Sequence, residues 1–217
     1  HSIYVDQWDW EKIIDKKDRN LETLKKTVNN IHKCILATLA TLKIKYPSIK
    51  VHLPEVLYFI SSQELLDMYP NLSSKEREYE ITKEHKAVFI IGIGDKLSNG
   101  QSHDGRAPDY DDWKLNGDLI YYHEVLDCAL EISSMGIRVD ADSLIYQLET
   151  SNHTDRMRYR YHQMILNNEL PYTIGGGIGQ SRLCMLLMGK AHIGEVQSSL
   201  WDEYTLKLAR ENGIIIL

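Results

Sequence analysis

TIGGGIGQSRLCMLLMGK, residues 173–190, is the stretch whose reading decides the architecture. It opens as an extended lead, passes through Gly175, Gly176, Gly177 and Gly179, and continues as an apolar helix that begins near Arg182. Glycines remove side-chain bulk, so a flat ligand such as a nucleotide can lie against bare backbone, while Arg182 offers a planar cation for stacking or for phosphate. No Gly-Lys-Ser/Thr follows, so it is not a P-loop, and the glycine spacing is not the dinucleotide fingerprint. Taken alone, the segment reads equally well as a Gly-rich turn followed by a solvated Arg.

Outward from this strand-to-helix junction, strands and helices alternate irregularly. Residues 2–10, with Ile3, Tyr4, Val5, Trp8 and Trp10, have a strand composition. Between Leu21 and Tyr46 the apolar residues Leu21, Leu24, Val28, Ile31, Ile35, Leu39 and Leu42 recur at helical steps, giving a long amphipathic helix that ends near Pro47. A strand at 56–61, a short helix capped by Ser62, a polar helix from Ser73 with a capping-box start, and a buried strand at 87–94 follow. Residues 96–116 read as loop, 118–125 and 129–140 as adjacent strands, and the segments around 144–148 and 156–166 as helices. Without a regular βαβ alternation the expectation is a single α+β domain over 1–217, an antiparallel β-sheet flanked by helices.

The formal net charge of −6 argues against a general binder of nucleic acid or membrane surface, because such partners need a surplus of Lys and Arg. No apolar run reaches membrane-spanning length. Cys34, Cys128 and Cys184 are odd in number and widely spaced, which suits core packing in a reduced, cytoplasmic setting better than a disulfide framework.

Four groups of residues could carry chemistry. Arg182 with its glycines is the first. The second is Glu131 to Arg138, where strand alternation would point Glu131 and Ser133 at a cleft while Ile132 and Ile137 face apolar surroundings. Asp118 on the preceding strand would complete, with Glu131, a pair of hard oxygen donors suited to Mg²⁺ bridging ATP phosphates; an edge-strand ion-pair network is the alternative. The third is Arg106 to Trp113, a Pro-stiffened loop with three acids that could close over a nucleotide, Arg106 reaching phosphate, or could be a solvated acidic turn. The fourth is Gln7 and Asp9, two apart on one strand face and able to receive an α-amino group, although such positions are commonly just the wet face. The histidines show no paired metal-ligand spacing.

HSIYVDQWDWE, SSQELLDMYP, RAPDYDDW, LNGD, LEISSMGIRVDAD and TIGGGIGQSR, in this order, resemble the aspartate–ammonia ligase family, the ammonia-using asparagine synthetases, from His1 to about Trp201. That family resembles class II aminoacyl-tRNA synthetases, with TIGGGIGQSR matching their motif 3 and HSIYVDQWDW the second strand of motif 2. The resemblance implies an ATP-dependent, AMP-forming synthesis of L-asparagine from L-aspartate and ammonia through a β-aspartyl-adenylate, in a cytoplasmic homodimer. It places Arg106, Asp111, Asp118, Glu131, Ser133 and Arg182 around ATP, with Gly175 and Gly177 in the glycine floor and Asp118 and Glu131 near Mg²⁺. It places Gln7, Asp9, Ser134 and Arg138 around aspartate, and gives Arg138, Arg182 and Asp118 the catalytic work. The family pattern also has motif 1, a motif 2 Arg and an aspartate-binding Lys ahead of the position of His1, so an incomplete N-terminus is expected. A longer polar loop is usual in the family between Trp113 and Leu115, so an omitted mobile loop is expected there, with a real deletion as the alternative.

Overall fold

The computed structural model describes residues 3–217. Its frame is one six-stranded sheet made of β1 (Gln7–Ile13), β2 (Tyr58–Ser61), β3 (Ala87–Ile91), β4 (Asp111–His123), β5 (Cys128–Arg138) and β6 (Thr173–Gly179), in the order β1-β6-β5-β4-β3-β2. The sheet is antiparallel except at one edge, where β2 runs parallel to β3, so the expectation of a purely antiparallel sheet is corrected to a mixed one. The parallel pair arises because α2 (Ser62–Met68) and α3 (Ser74–His85) form a crossover between β2 and β3.

Two faces of this sheet are covered unequally. On one, α1 (Leu21–Lys45) and α6 (Gln180–Met188) bury Leu24, Val28, Ile35, Leu39, Leu183 and Leu186 against Phe89, Leu119, Met135, Ile137 and Ile174. The buried residues of α1 recur at three- and four-residue steps, as one apolar stripe requires. On the other face, α2 and α3 place Leu65 and Ile81 over Ile60, Val88, Ile90 and Ile120, covering only the β2-β3-β4 half. β3, covered on both faces, is buried throughout, whereas β1 at the far edge is exposed at nearly every position. The uncovered half over β1, β6 and β5 is therefore a cleft. α4 (Ala141–Thr150) and α5 (Arg160–Leu166) pack around Val139 beyond the end of β5, and α7 (Glu203–Glu211), which the sequence pattern did not suggest, closes the chain.

Several boundaries differ from expectation for local reasons. The first strand starts at Gln7, and the expected position Ser2 lies outside the described residues. The cap of α2 is Ser61, not Ser62: Ser61 and Glu64 form the reciprocal capping box, and Ser62 instead donates to the Gly92 carbonyl at 2.5 Å. The capping box expected at Ser73 forms with Glu76. β4 begins at Asp111, well inside the segment read as loop, because Gln147 of α4 accepts from the Trp113 amide and donates to the Asp111 carbonyl. The strand runs on through residues 113–115, with its register broken between Asp111 and Asn116. The cysteines do not pack in the core: Cys34 falls on the solvent side of α1, and Cys128 and Cys184 are half-buried. Among the described residues no helix is long and apolar enough to cross a membrane.

Candidate functional site

The uncovered half of the sheet carries a cleft of about 560 Å³. Its floor is a row of paired residues that crosses four strands: Asp9 of β1 opposite Gly177 of β6, Gly177 opposite Ser134 of β5, and Ser134 opposite Asp118 of β4. Paired residues share a face, so Asp9, Ser134 and Asp118 project to the same side. A Cβ on Gly177 would lie 2.8 Å from both Asp9 Oδ1 and Gln7 Oε1, so glycine at this point is what lets those polar groups reach over the floor.

Simple alternation would have put Glu131 with Ser133, Met135 and Ile137, and the last two are fully buried core residues. A β-bulge corrects the phase. Leu119 pairs with Ser133 and the next residue, Ile120, pairs with Glu131, leaving Ile132 as the extra residue. Glu131 therefore joins the cleft side with Ser134 and Gly136 while Ile132 goes into the core, and Ser133 turns its hydroxyl to donate to the Gly177 carbonyl at 2.8 Å. Burial pushes the Glu131 carboxyl up and the Asp118 charge pushes it further, with Arg182, Lys75 and Arg106 offsetting part of this.

Three arginines surround the cleft. Arg182, from the first turn of α6, donates to the Glu131 carbonyl at 3.0 Å. Arg106 reaches in from the loop before β4, donating to Ser134 and, at 2.7 Å, to Asp118 Oδ1. That loop is pinned to α3 by His103 against Glu78 at 3.1 Å and by Lys75 between Glu78 and Asp104. Burial works against the Arg106 charge, but Asp118, Asp111 and Glu131 outweigh it and keep the group firmly cationic.

Arg138, at the end of β5, is held by the side chains of Glu11, Asp111 and Tyr110. Its Nε donates to the Glu11 carboxylate at 3.1 and 3.2 Å, its Nη2 to Glu11 Oε2 at 2.8 Å and to the Tyr110 hydroxyl at 2.9 Å, and its Nη1 to Asp111. The guanidinium stacks 3.9 Å from the Tyr110 ring centroid. Burial of Asp111 outweighs its two guanidinium neighbours and raises its carboxyl, while Glu11 and Asp111 together keep Arg138 charged. Beneath this cluster lies Gly175, where a Cβ would strike the Glu11 carboxylate and sit 2.6 Å from Arg138 Nη2. The carbonyl of Arg138 accepts from Arg19, a buried side chain that also bridges Asp112 and Asp140.

The geometry thus brings Gln7, Asp9, Arg106, Asp111, Glu131, Ser133, Ser134, Arg138, Gly177 and Arg182 to one cleft. Asp118 and Gly175 stand just behind its surface, the first under Arg106 and the second under Glu11. Sequence reasoning missed Glu11, Tyr110 and Arg19. Glu11 had a signal, as it continues the two-residue spacing of Gln7 and Asp9; Arg19 had none, because its partners lie 93 to 121 residues away. Among the described residues no group of three or more His, Cys, Asp or Glu is placed to hold a metal. Asp118 and Glu131 offer a smaller, all-oxygen pair, which is the donor set that suits Mg²⁺ completing its shell with water and phosphate.

This mixed sheet flanked by helices is the fold of class II aminoacyl-tRNA synthetases. Solved structures with this fold include the aspartyl-tRNA synthetase of Entamoeba histolytica (TM-score 0.65, 15% identity, 94% of this chain and 44% of that one). Another is the asparaginyl-tRNA synthetase of Pyrococcus horikoshii complexed with asparaginyl-adenylate (TM-score 0.62, 17% identity, 89% and 46%). Sequence is more specific than fold. The family model described as aspartate-ammonia ligase matches residues 1–213, and the chain belongs to that family. Proteins named aspartate–ammonia ligase from Ligilactobacillus salivarius and Clostridium perfringens are 59% and 60% identical over the whole of this chain, which spans 65% of the length of each.

Proposed function

We propose that this chain is the catalytic body of an ammonia-using ligase that makes L-asparagine from L-aspartate, cleaving ATP to AMP and pyrophosphate through a β-aspartyl-adenylate. Family membership and the name carried by its relatives support the overall reaction. The observation that carries the chemistry is Arg138, charged and fixed at one end of a cleft whose other cations are Arg106 and Arg182. A fixed guanidinium suits a carboxylate that must be held still, and two further cations suit phosphates on which charge builds.

In this reading Arg138 grips the α-carboxylate of aspartate, Ser134 lies beside it, and Gln7 and Asp9 receive the α-amino group. The β-carboxylate is thereby left facing the nucleotide. One of its oxygens attacks the α-phosphorus of ATP, and pyrophosphate departs with the bonding electron pair. Arg106 and Arg182 offset the phosphate charge, with Asp111, Ser133, Gly175 and Gly177 shaping the nucleotide's bed. The nitrogen of ammonia then attacks the acyl carbon, AMP leaves with the pair from the C–O bond, and the nitrogen sheds a proton. Most of the acceleration comes from proximity and charge neutralisation. Asp118 and Glu131 would hold Mg²⁺, which would supply charge neutralisation at the phosphates. A homodimeric assembly and a cytoplasmic location complete the proposal, on the grounds of family alone.

ATP–pyrophosphate exchange on the full-length protein tests this reading. Exchange should require aspartate, and ammonium added afterwards should yield asparagine. Exchange that ignores aspartate would sink the proposal, as would exchange with no asparagine formed.

A further inference from the structure

Behind Arg138 lies a second cleft, of about 280 Å³, on the side away from the first. Among the described residues the two clefts share only Arg138 and Tyr110, so the stacked guanidinium and phenol ring are the wall between them. Glu11 lines the second cleft and not the first. It stands behind Arg138 as a tether, bonded to both Nε and Nη2, with 44% of its side chain exposed. Tyr161 and Tyr172 line the far side.

We propose that Glu11 and Tyr110 set the depth of the amino-acid end of the site and are positioning residues for chain-length specificity: they hold Arg138 forward so that a four-carbon acidic amino acid fits and a five-carbon one does not. The inference rests on the ligase reading above, in which Arg138 grips a substrate carboxylate. The distance from Arg138 to the nucleotide then fixes how many carbons separate the gripped carboxylate from the reacting one. That distance is not set by the covalent frame, since empty space lies behind the guanidinium; it is set by the side chains that hold it, Glu11 and Tyr110 against the second cleft and Asp111 against the first. Shortening the tether by one methylene draws Arg138 toward the second cleft by about one bond length, which is the extra reach that glutamate needs. A methylene misfit in a substrate pocket is worth roughly tenfold to two-hundredfold in discrimination, so the change is readable.

The test measures kcat/KM in ATP–pyrophosphate exchange with aspartate and with glutamate, using full-length protein. Glu11→Asp keeps the charge and shortens the tether; the preference for aspartate should fall at least about tenfold, by loss on aspartate, gain on glutamate, or both. Tyr110→Ala removes half the wall and should relax the preference in the same direction. Glu11→Gln keeps the length and loses the charge, so both substrates should weaken together and the ratio should stay. An unchanged ratio in Glu11→Asp, equal loss with both amino acids in that variant, or an equal change of ratio in Glu11→Gln overturns the proposal. Absence of aspartate-dependent exchange in the unaltered protein is a different result, which removes the ligase reading and this inference with it.

Discussion

Arg106 Nη2 donates to Asp118 Oδ1 at 2.7 Å, so a loop cation and a strand anion neutralise each other under the rim of the cleft. Both side chains are largely buried, at 15% and 11% exposure, and the Arg106 Nε has no hydrogen-bond partner among the described residues. In the proposed function this cation, which lines the cleft, meets a phosphate. Arg106→Ala should weaken ATP binding by about tenfold in calorimetric titration, roughly the loss of one charge-assisted hydrogen bond. The same variant should cost about 1–3 kcal/mol in denaturant melts, because Asp118 is left buried beside Glu131. Wild-type nucleotide affinity in Arg106→Ala would remove Arg106 from the site.

Arg19 ties three chain segments together, bonding Asp112 and Asp140 at 3.0 Å each and the Arg138 carbonyl. Burial and the neighbouring Asp140 charge hold the Asp112 carboxyl up, and Arg19 counters them. Arg19→Ala should destabilise the protein by about 3–5 kcal/mol in urea, the range for breaking a buried charge pair from one side. Because the backbone of Arg138 loses its anchor, the aspartate KM should rise more than the ATP KM. Equal change in both would mean that Arg19 serves stability alone.

Gly177→Ala places a methyl group 2.8 Å from Asp9 Oδ1 and Gln7 Oε1. Either the floor sinks or the two polar groups leave, and overpacking of this sort costs roughly 1–3 kcal/mol. The aspartate KM should rise about tenfold or more while the far-ultraviolet spectrum stays native. An unaltered aspartate KM would show that Gln7 and Asp9 do not meet the substrate.

Asp109 offers a test of pH dependence away from the cleft. Burial alone would raise its carboxyl, but hydrogen bonds from His162 and Arg156, at 3.0 Å each, hold it below the ordinary carboxylate range. A depressed carboxyl contributes stability that is present above its unfolded pKa and is lost as pH falls through the folded one. Asp109→Asn should therefore be less stable than the parent protein near neutral pH, and the gap should close in acid. A gap that is independent of pH would mean that the pair contributes no charge-dependent stability.

The long stripe of α1 and the glycine run of β6 were legible because each has a local physical cause, helical periodicity in one and absence of side chains in the other. The polar composition of Asp111 to Trp113 conceals a strand whose start is fixed by Gln147, a contact from 34 residues away. The direction of β2 was likewise invisible, since strand order is a property of the assembled sheet. In the site, the chemistry of Glu131 is legible but its direction is not, because simple alternation breaks at the bulge at Ile132, which turns the carboxyl outward. Glu11 extends the Gln7, Asp9 spacing, but strand composition stops at Trp10 while the strand itself runs to Ile13.

The floor row from Asp9 through Gly177 and Ser134 to Asp118 has a kinetic consequence. Its members lie at positions 9, 118, 134 and 177, and the pairing of Asp9 with Gly177 closes a loop of more than 160 residues. Contacts that distant form late, after the entropy of closing the loop has been met. An intermediate in which β1 and β6 are not yet paired lacks the complete row, so the recovery of substrate binding during refolding should coincide with the pairing of β1, β6, β5 and β4. A ligand that spans the row would conversely act as a clasp on segments far apart in the sequence, slowing their separation wherever it stays bound.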